Sequence, residues 1–145
     1  MENDILSTPV KDVMTQKVTI IDKNAALEKV REIFNHSQFH HLLVLEDHKL
    51  IGVISDRDLL REISPFLETM AEQKRDHDRL NKRIHVFMTK KPITITQEAT
   101  IKFAALLLLE KGISCLPVTS PEGYVRGIIT MKDILHYICV GSKMK

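Results

Sequence analysis

The sequence predicts an α/β fold in which two pseudo-symmetric β-α-β-β-α repeats pack as one module. Three observations predict it. The 145 residues match one average domain, and two independent halves of about 70 residues would each be marginal, so halves are expected to pack together. The apolar fraction of 43% lies in the ordinary globular range and excludes global disorder. Above all, the chain repeats itself. An offset of 74 positions lays Val10-Lys-Asp-Val-Met-Thr15 on Ile84-His-Val-Phe-Met-Thr89 and matches Lys17 with Lys91, Ile21 with Ile95, Ala25 with Ala99, Leu42 with Leu116 and Val44 with Val118. Beyond one extra residue, for which Gly123 is the expected insertion, an offset of 75 pairs Gly52-Val-Ile-Ser-Asp-Arg-Asp58 with Gly127-Ile-Ile-Thr-Met-Lys-Asp133. A single loop insertion is where a repeat should vary.

Each copy reads the same way. Val18 to Ile21 and Ile93 to Ile95 are short β-branched strand candidates. Helices follow over about 25–37, with Asp22 as N-cap, and about 99–111, with Thr96 as N-cap and Gly112 as the stop. Apolar runs at Leu42–Leu45 and Leu116–Thr119 lead through turns at Asp47-His48 and Pro121-Glu122-Gly123 into Leu50–Ser55 and Val125–Thr130, a hairpin pattern. A last helix starts at Ser55 or Thr130. The division is therefore an N-terminal segment (1–9), a first repeat (10–63), a charged linker (64–83), a second repeat (84–140) and a tail (141–145). Pro65 ends the first repeat, and the balanced charges from Glu68 to Arg83 read as a solvated helical linker, or as a docking segment for a partner.

Composition narrows the function. A net charge of +2 is too close to neutral for a nucleic-acid footprint. The longest apolar run, Phe103 to Leu109, is far shorter than the ~18 residues of a membrane span. The acidic start lacks a secretory pattern, and two cysteines make no disulfide framework. A cytoplasmic protein is expected, with no nucleic-acid or membrane partner.

The pattern Gly-x-x-Ser/Thr-x-x-Asp is the candidate site. Ser55 with Asp58, and Thr130 with Asp133, have the spacing of a capping box, a purely structural use. That use does not ask for glycine three residues earlier, and glycine lets another group approach the backbone closely. A helix N-terminus keeps the Asp ionised, and an ionised carboxylate can accept both hydroxyls of a ribose diol.

The duplicated unit, with Val13-Met-Thr15 and Phe87-Met-Thr89 before the first strands, Ile113-Ser-Cys-Leu-Pro-Val118 in the second copy and Gly52–Asp58 and Gly127–Asp133 at the last strands, resembles the CBS family (cystathionine β-synthase domains). The resemblance covers about 10–140. It implies tandem pairs that associate into dimers and bind adenine nucleotides (AMP, ADP, ATP, S-adenosylmethionine or NAD) between repeats, thereby regulating a partner. It further implies one cleft using Ser55 and Asp58 with Thr89, Ile93, Ser114 and Cys115, and a second using Thr130 and Asp133 with Thr15, Thr19, His40 and His41. Many relatives carry a basic residue at the position of His41, which meets phosphate well only when protonated, near its unperturbed pKa of about 6.5. Leu43 stands where the second copy has Pro117, which puts the local backbone of the second cleft in question. Arg57 and Lys132 are further phosphate candidates.

Catalysis is not expected. Neither Ser55 nor Cys115 has a histidine placed beside it by local sequence, no Walker-type loop is present, and His36, His40, His41 and His48 lack partners for a tetrahedral metal set. The expected function is an adenine-nucleotide-binding regulatory module with no required cofactor, signalling occupancy to an unidentified partner. The alternative is an interaction or structural module. The apolar residues of helix 99–111 go most of the way round it, so a second subunit is expected on its outer side.

Overall fold

The computed structural model describes residues 4–144. The chain is mixed α/β and divides into two compact units, Thr19–Lys91, and a second comprising residues up to Val18 together with Pro92 onward. In the first, β1 (Ile20–Asp22) leads to α1 (Leu27–Asn35), the hairpin β2 (His41–Glu46) and β3 (Lys49–Ser55), then α2 (Asp56–Glu62), α3 (Lys74–Asp78) and β4 (Thr89–Lys90). The sheet order is β1-β2-β3-β4, with β1 parallel to β2 and the other pairs antiparallel. In the second, α4 (Ile101–Lys111) precedes the hairpin β5 (Cys115–Thr119) and β6 (Val125–Thr130) and helix α5 (Met131–Val140). Bridges from Ile95 to Val118 and from Thr15 to Ile128 occupy the places that β1 and β4 hold in the first unit.

The compact units therefore differ from the sequence repeats. The Met-Thr segment at the head of the first repeat pairs with β6 of the second, and that of the second pairs with β3 of the first. Both cores depend on this exchange: Val10, Val13 and Met14 are buried among Ile95, Ile101, Leu116, Ile129 and Ile134, while Ile84 is buried among Ile21, Leu27, Val44 and Ile54.

Most elements lie where the sequence predicts them, with instructive differences. Residues 93–95 form one bridge rather than a strand. In β2 the Leu43 N–H donates to the Thr19 carbonyl, but its counterpart Pro117 has no N–H to offer, so the parallel pairing shrinks to Ile95. Both β2 and β5 nonetheless pair with their hairpin partners, Leu43 opposite Val53 and Pro117 opposite Ile128, and each shifts register just beyond, at Val44/Leu45 and Val118/Thr119. Helix α1 starts at Leu27, not at 25. Asp22 ends β1 and accepts the Asn24 N–H instead of capping the helix, and the Leu27 N–H donates to the Lys82 carbonyl. Thr100, not Thr96, caps α4, and the Ile101 N–H donates to the Thr8 carbonyl. In both helices a carbonyl distant in sequence takes the first N–H; α1 has no side-chain cap, whereas in α4 the Thr100 hydroxyl oxygen also accepts the Phe103 N–H. Gly112 stops α4 with φ +62°, as predicted. Buried Leu27 and Val30, three residues apart, set the inner face of α1.

The linker is held within its unit rather than merely solvated. The Ser64 hydroxyl donates to Asp76 at 2.7 Å, Arg31 pairs with Glu68 at 2.9 Å, Arg79 reaches Glu62 at 3.5 Å, and Leu80 is buried.

Candidate functional site

Each last strand ends in a residue that caps the following helix. In the first unit Ser55 Oγ accepts the Asp58 N–H at 3.1 Å, and Asp58 Oδ2 accepts the Ser55 N–H at 2.9 Å. In the second, Thr130 Oγ1 accepts the Asp133 N–H at 3.2 Å, while Asp133 Oδ2 accepts both the Thr130 N–H and the Thr130 hydroxyl at 3.0 Å. Both motifs are thus complete capping boxes, so the structural use of these residues is realised in both copies.

The motif glycines also have a structural partner. A Cβ at Gly52 would collide with Met88 Sδ and meet the Thr89 carbonyl oxygen at 3.1 Å, and one at Gly127 would meet the Thr15 carbonyl oxygen at 2.6 Å. The group that approaches the glycine is the Met-Thr segment. This explains within each unit why Gly-x-x-Ser/Thr-x-x-Asp and Met-Thr occur together, without a ligand.

The carboxylates differ in what remains. Asp133 is only 3% exposed, and its Oδ1 accepts the Thr15 hydroxyl at 3.2 Å. The Asp58 side chain is 24% exposed, and its Oδ1 has the exposed guanidinium of Arg61 at 3.9 Å. Thr89, the counterpart of Thr15, is exposed and sits opposite Val53.

The structure groups the predicted residues by unit. Thr89 shares a unit with Ser55 and Asp58, and Thr15 shares one with Thr130 and Asp133. Of the remaining residues, Thr19, His40 and His41 lie in the unit of Ser55 and Asp58, and Ile93, Ser114 and Cys115 in that of Thr130 and Asp133. His41 opens β2 directly opposite Ser55, with His40 before it and Thr19 at the head of β1. Cys115, buried, opens β5 opposite Thr130, after exposed Ser114 and, further upstream, exposed Ile93. The cause is antiparallel register: a strand start lies beside the end of its own hairpin partner.

His40 and His41 differ sharply. His40 is exposed, and its Nδ1 lies 2.9 Å from Asp56 Oδ2, while the Asp56 N–H donates to the His40 carbonyl. Burial pushes the His41 imidazole below its usual pKa, against the opposing pull of Asp56. The shift favours the neutral imidazole, the weaker partner for a phosphate. Asp56 was missed in the sequence; its signal is the second acidic residue in Ser55-Asp-Arg-Asp58, absent from Thr130-Met-Lys-Asp133. Arg57 and Lys132 are exposed.

Fold and site together define a tandem α/β repeat protein carrying one capped carboxylate per repeat. The family model described as the CBS domain matches residues 10–65 and 82–140, and the chain belongs to the CBS domain family. It is 32% identical over 128 residues, 87% of this chain and 88% of the relative, to a CBS domain-containing protein of Dictyostelium discoideum. It is 26% identical to homoserine O-acetyltransferase of Methanohalobium evestigatum, aligning 95% of this chain with only 26% of that enzyme. Among solved structures, CBSX2 in complex with AMP superposes with TM-score 0.76 and 26% identity, covering 91% of this chain and 96% of that one. The CBS domain pair of protein MJ0100, in complex with 5′-methylthioadenosine and S-adenosyl-L-methionine, superposes with TM-score 0.76 and 22% identity, covering 93% and 98%. Among the described residues no helix is long and apolar enough to cross a membrane.

Proposed function

We propose that this chain is a regulatory module that binds an adenine nucleotide, with Asp58 and Asp133 as acceptors for ribose hydroxyls. The observation that carries the reading is the Asp58 carboxylate: Oδ2 is committed to the capping box, while Oδ1 has the exposed Arg61 guanidinium at 3.9 Å. A carboxylate oriented by its own helix and open on one oxygen is a ready acceptor for a hydroxyl pair. The similarity to CBSX2, crystallised with AMP, favours an adenosyl ligand, and AMP, ADP, ATP, S-adenosylmethionine and NAD are the candidates. The ligand acts by population shift, moving the chain between arrangements only to the extent that it binds one better than the other. A regulated partner reads the outcome, and the protein itself performs no catalysis. We place it in the cytoplasm as a homodimer formed through the outer face of α4, where Phe103, Leu106 and Leu109 are exposed.

A second reading, an interaction module without a small ligand, is favoured by one observation: the capping boxes and the Met-Thr contacts account for every element of the motif. Thermal shift with the five nucleotides separates the two. A ligand at about 100 times its dissociation constant adds roughly 2.7 kcal/mol. At about 2–4 °C per kcal/mol for a chain of this size, that is a rise of roughly 5–10 °C. The wild type should respond to at least one nucleotide, a deoxyribose analogue should respond less, and Asp58→Ala/Asp133→Ala should not respond. A double mutant that keeps the full shift removes both aspartates from the site. A wild type indifferent to every nucleotide selects the interaction module.

A further inference from the structure

The two aspartates occupy equivalent positions in the repeat, yet only one is held by a second segment of chain. Asp133 Oδ2 already accepts two donors from Thr130, and Oδ1 accepts the Thr15 hydroxyl at 3.2 Å. The side chain is almost entirely buried. A carboxylate offers about four lone-pair sites and a diol takes two; the three donors on Asp133 leave fewer than that, whereas on Asp58 the capping box takes one. We propose that Thr15 is an internal competitor at Asp133, so that the Asp58 half-site fills first and the Asp133 half-site fills only when the Thr15 hydroxyl lets go. The proposal rests on the nucleotide reading above and adds an order of occupancy to it.

Thr15 suits this role because its backbone and side chain are independently anchored. The Thr15 N–H donates to the Ile128 carbonyl at 2.8 Å, and the Ile128 N–H donates to the Thr15 carbonyl at 2.9 Å. Buried Val10, Val13 and Met14 hold the same segment in the core. The hydroxyl can therefore leave Asp133 by rotation about χ1 while the segment stays in place. Arg61 is no equivalent restraint on Asp58, because its side chain is 76% exposed and 3.9 Å away. Thr89 is exposed, at the position equivalent to Thr15.

Calorimetric titration with AMP tests this in four variants of the full chain. The wild type should show two unequal binding events, and Asp58→Ala should abolish the tighter. In the Asp58→Ala background, Thr15→Val keeps the shape and the backbone bridge but deletes the hydroxyl. The remaining affinity should then rise about 3- to 10-fold, the size of one hydrogen bond in competition with solvent. Thr15→Ser, which restores the hydroxyl, should return it to the parent value. The proposal is overturned if Thr15→Val weakens or leaves unchanged the remaining event, or if Asp133→Ala rather than Asp58→Ala removes the tighter one. Two equal events in the wild type overturn the order of occupancy while preserving the nucleotide reading. A wild type that binds no AMP removes the AMP-based order, and the five-nucleotide screen then decides whether the reading beneath it also falls.

Discussion

Replacing Gly127 by alanine tests whether the Met-Thr segment is a structural part of the second unit. The new Cβ would lie 2.6 Å from the Thr15 carbonyl oxygen and 3.0 Å from Met14 Sδ. The sulfur ends a flexible side chain and can turn aside. The oxygen cannot, because it accepts the Ile128 N–H at 2.9 Å while the Thr15 N–H donates to the Ile128 carbonyl at 2.8 Å. Alanine must either lift the segment off β6, losing two hydrogen bonds at about 0.5–1.5 kcal/mol each, or compress the contact at the roughly 1–3 kcal/mol of overpacking. Alanine also narrows the unfolded ensemble, which offsets about 0.4–1 kcal/mol. The net expectation is a loss of up to about 2.6 kcal/mol, or up to roughly 10 °C in melting temperature. Gly112→Ala is the control: its Cβ meets nothing within 4 Å, but φ is +62°, so it costs about 1–2 kcal/mol through backbone strain alone. Thermal unfolding by circular dichroism gives the magnitudes. Native-state hydrogen exchange at the Thr15 and Ile128 amides distinguishes the causes, since protection there should fall in Gly127→Ala and persist in Gly112→Ala. A Gly127→Ala protein that melts with the wild type and keeps Thr15 protected would refute the close-approach argument.

Three further outcomes are expected. Asp76, held below its ordinary pKa of 3.8 by the Ser64 hydroxyl and the Gln73 N–H, favours the folded state while ionised. Asp76→Asn should therefore melt below the wild type above about pH 5, with the difference vanishing as acid titrates the wild-type carboxyl below its unfolded value. His41, held below its ordinary 6.5 mainly by burial and flanked by His40, Asp56 and Asp58, binds its proton more readily unfolded. Wild-type stability should fall as pH drops through that value, His41→Gln should flatten the fall, and AMP affinity between about pH 7 and 8 should not depend on His41. Light scattering at micromolar concentration should give a dimer mass, and Leu106→Glu/Leu109→Glu a monomer; a monomeric wild type would leave the outer face of α4 without its proposed partner.

Much of this architecture was legible in one sequence because duplication supplies its own comparison. The hairpins, the capping residues Ser55 and Thr130 and the stop at Gly112 are local features, set by strand patterning, side-chain reach over three residues and a backbone angle only glycine adopts cheaply. The carboxylate candidates followed from the same spacing. Local sequence could not reveal that Val10–Thr15 belongs with the second repeat, because the head of a repeat looks identical whichever sheet it joins. That choice depends on which strand edge and which buried cavity the segment completes, a property of the assembled unit. The same limit explains the glycines: the motif announced a close approach at Gly52 and Gly127, and only the tertiary fold identified the visitor as Met88-Thr89 and Met14-Thr15. It also explains Asp58 and Asp133, alike in sequence but set apart by one hydroxyl, since hydrogen bonds between residues 118 positions apart leave no local trace.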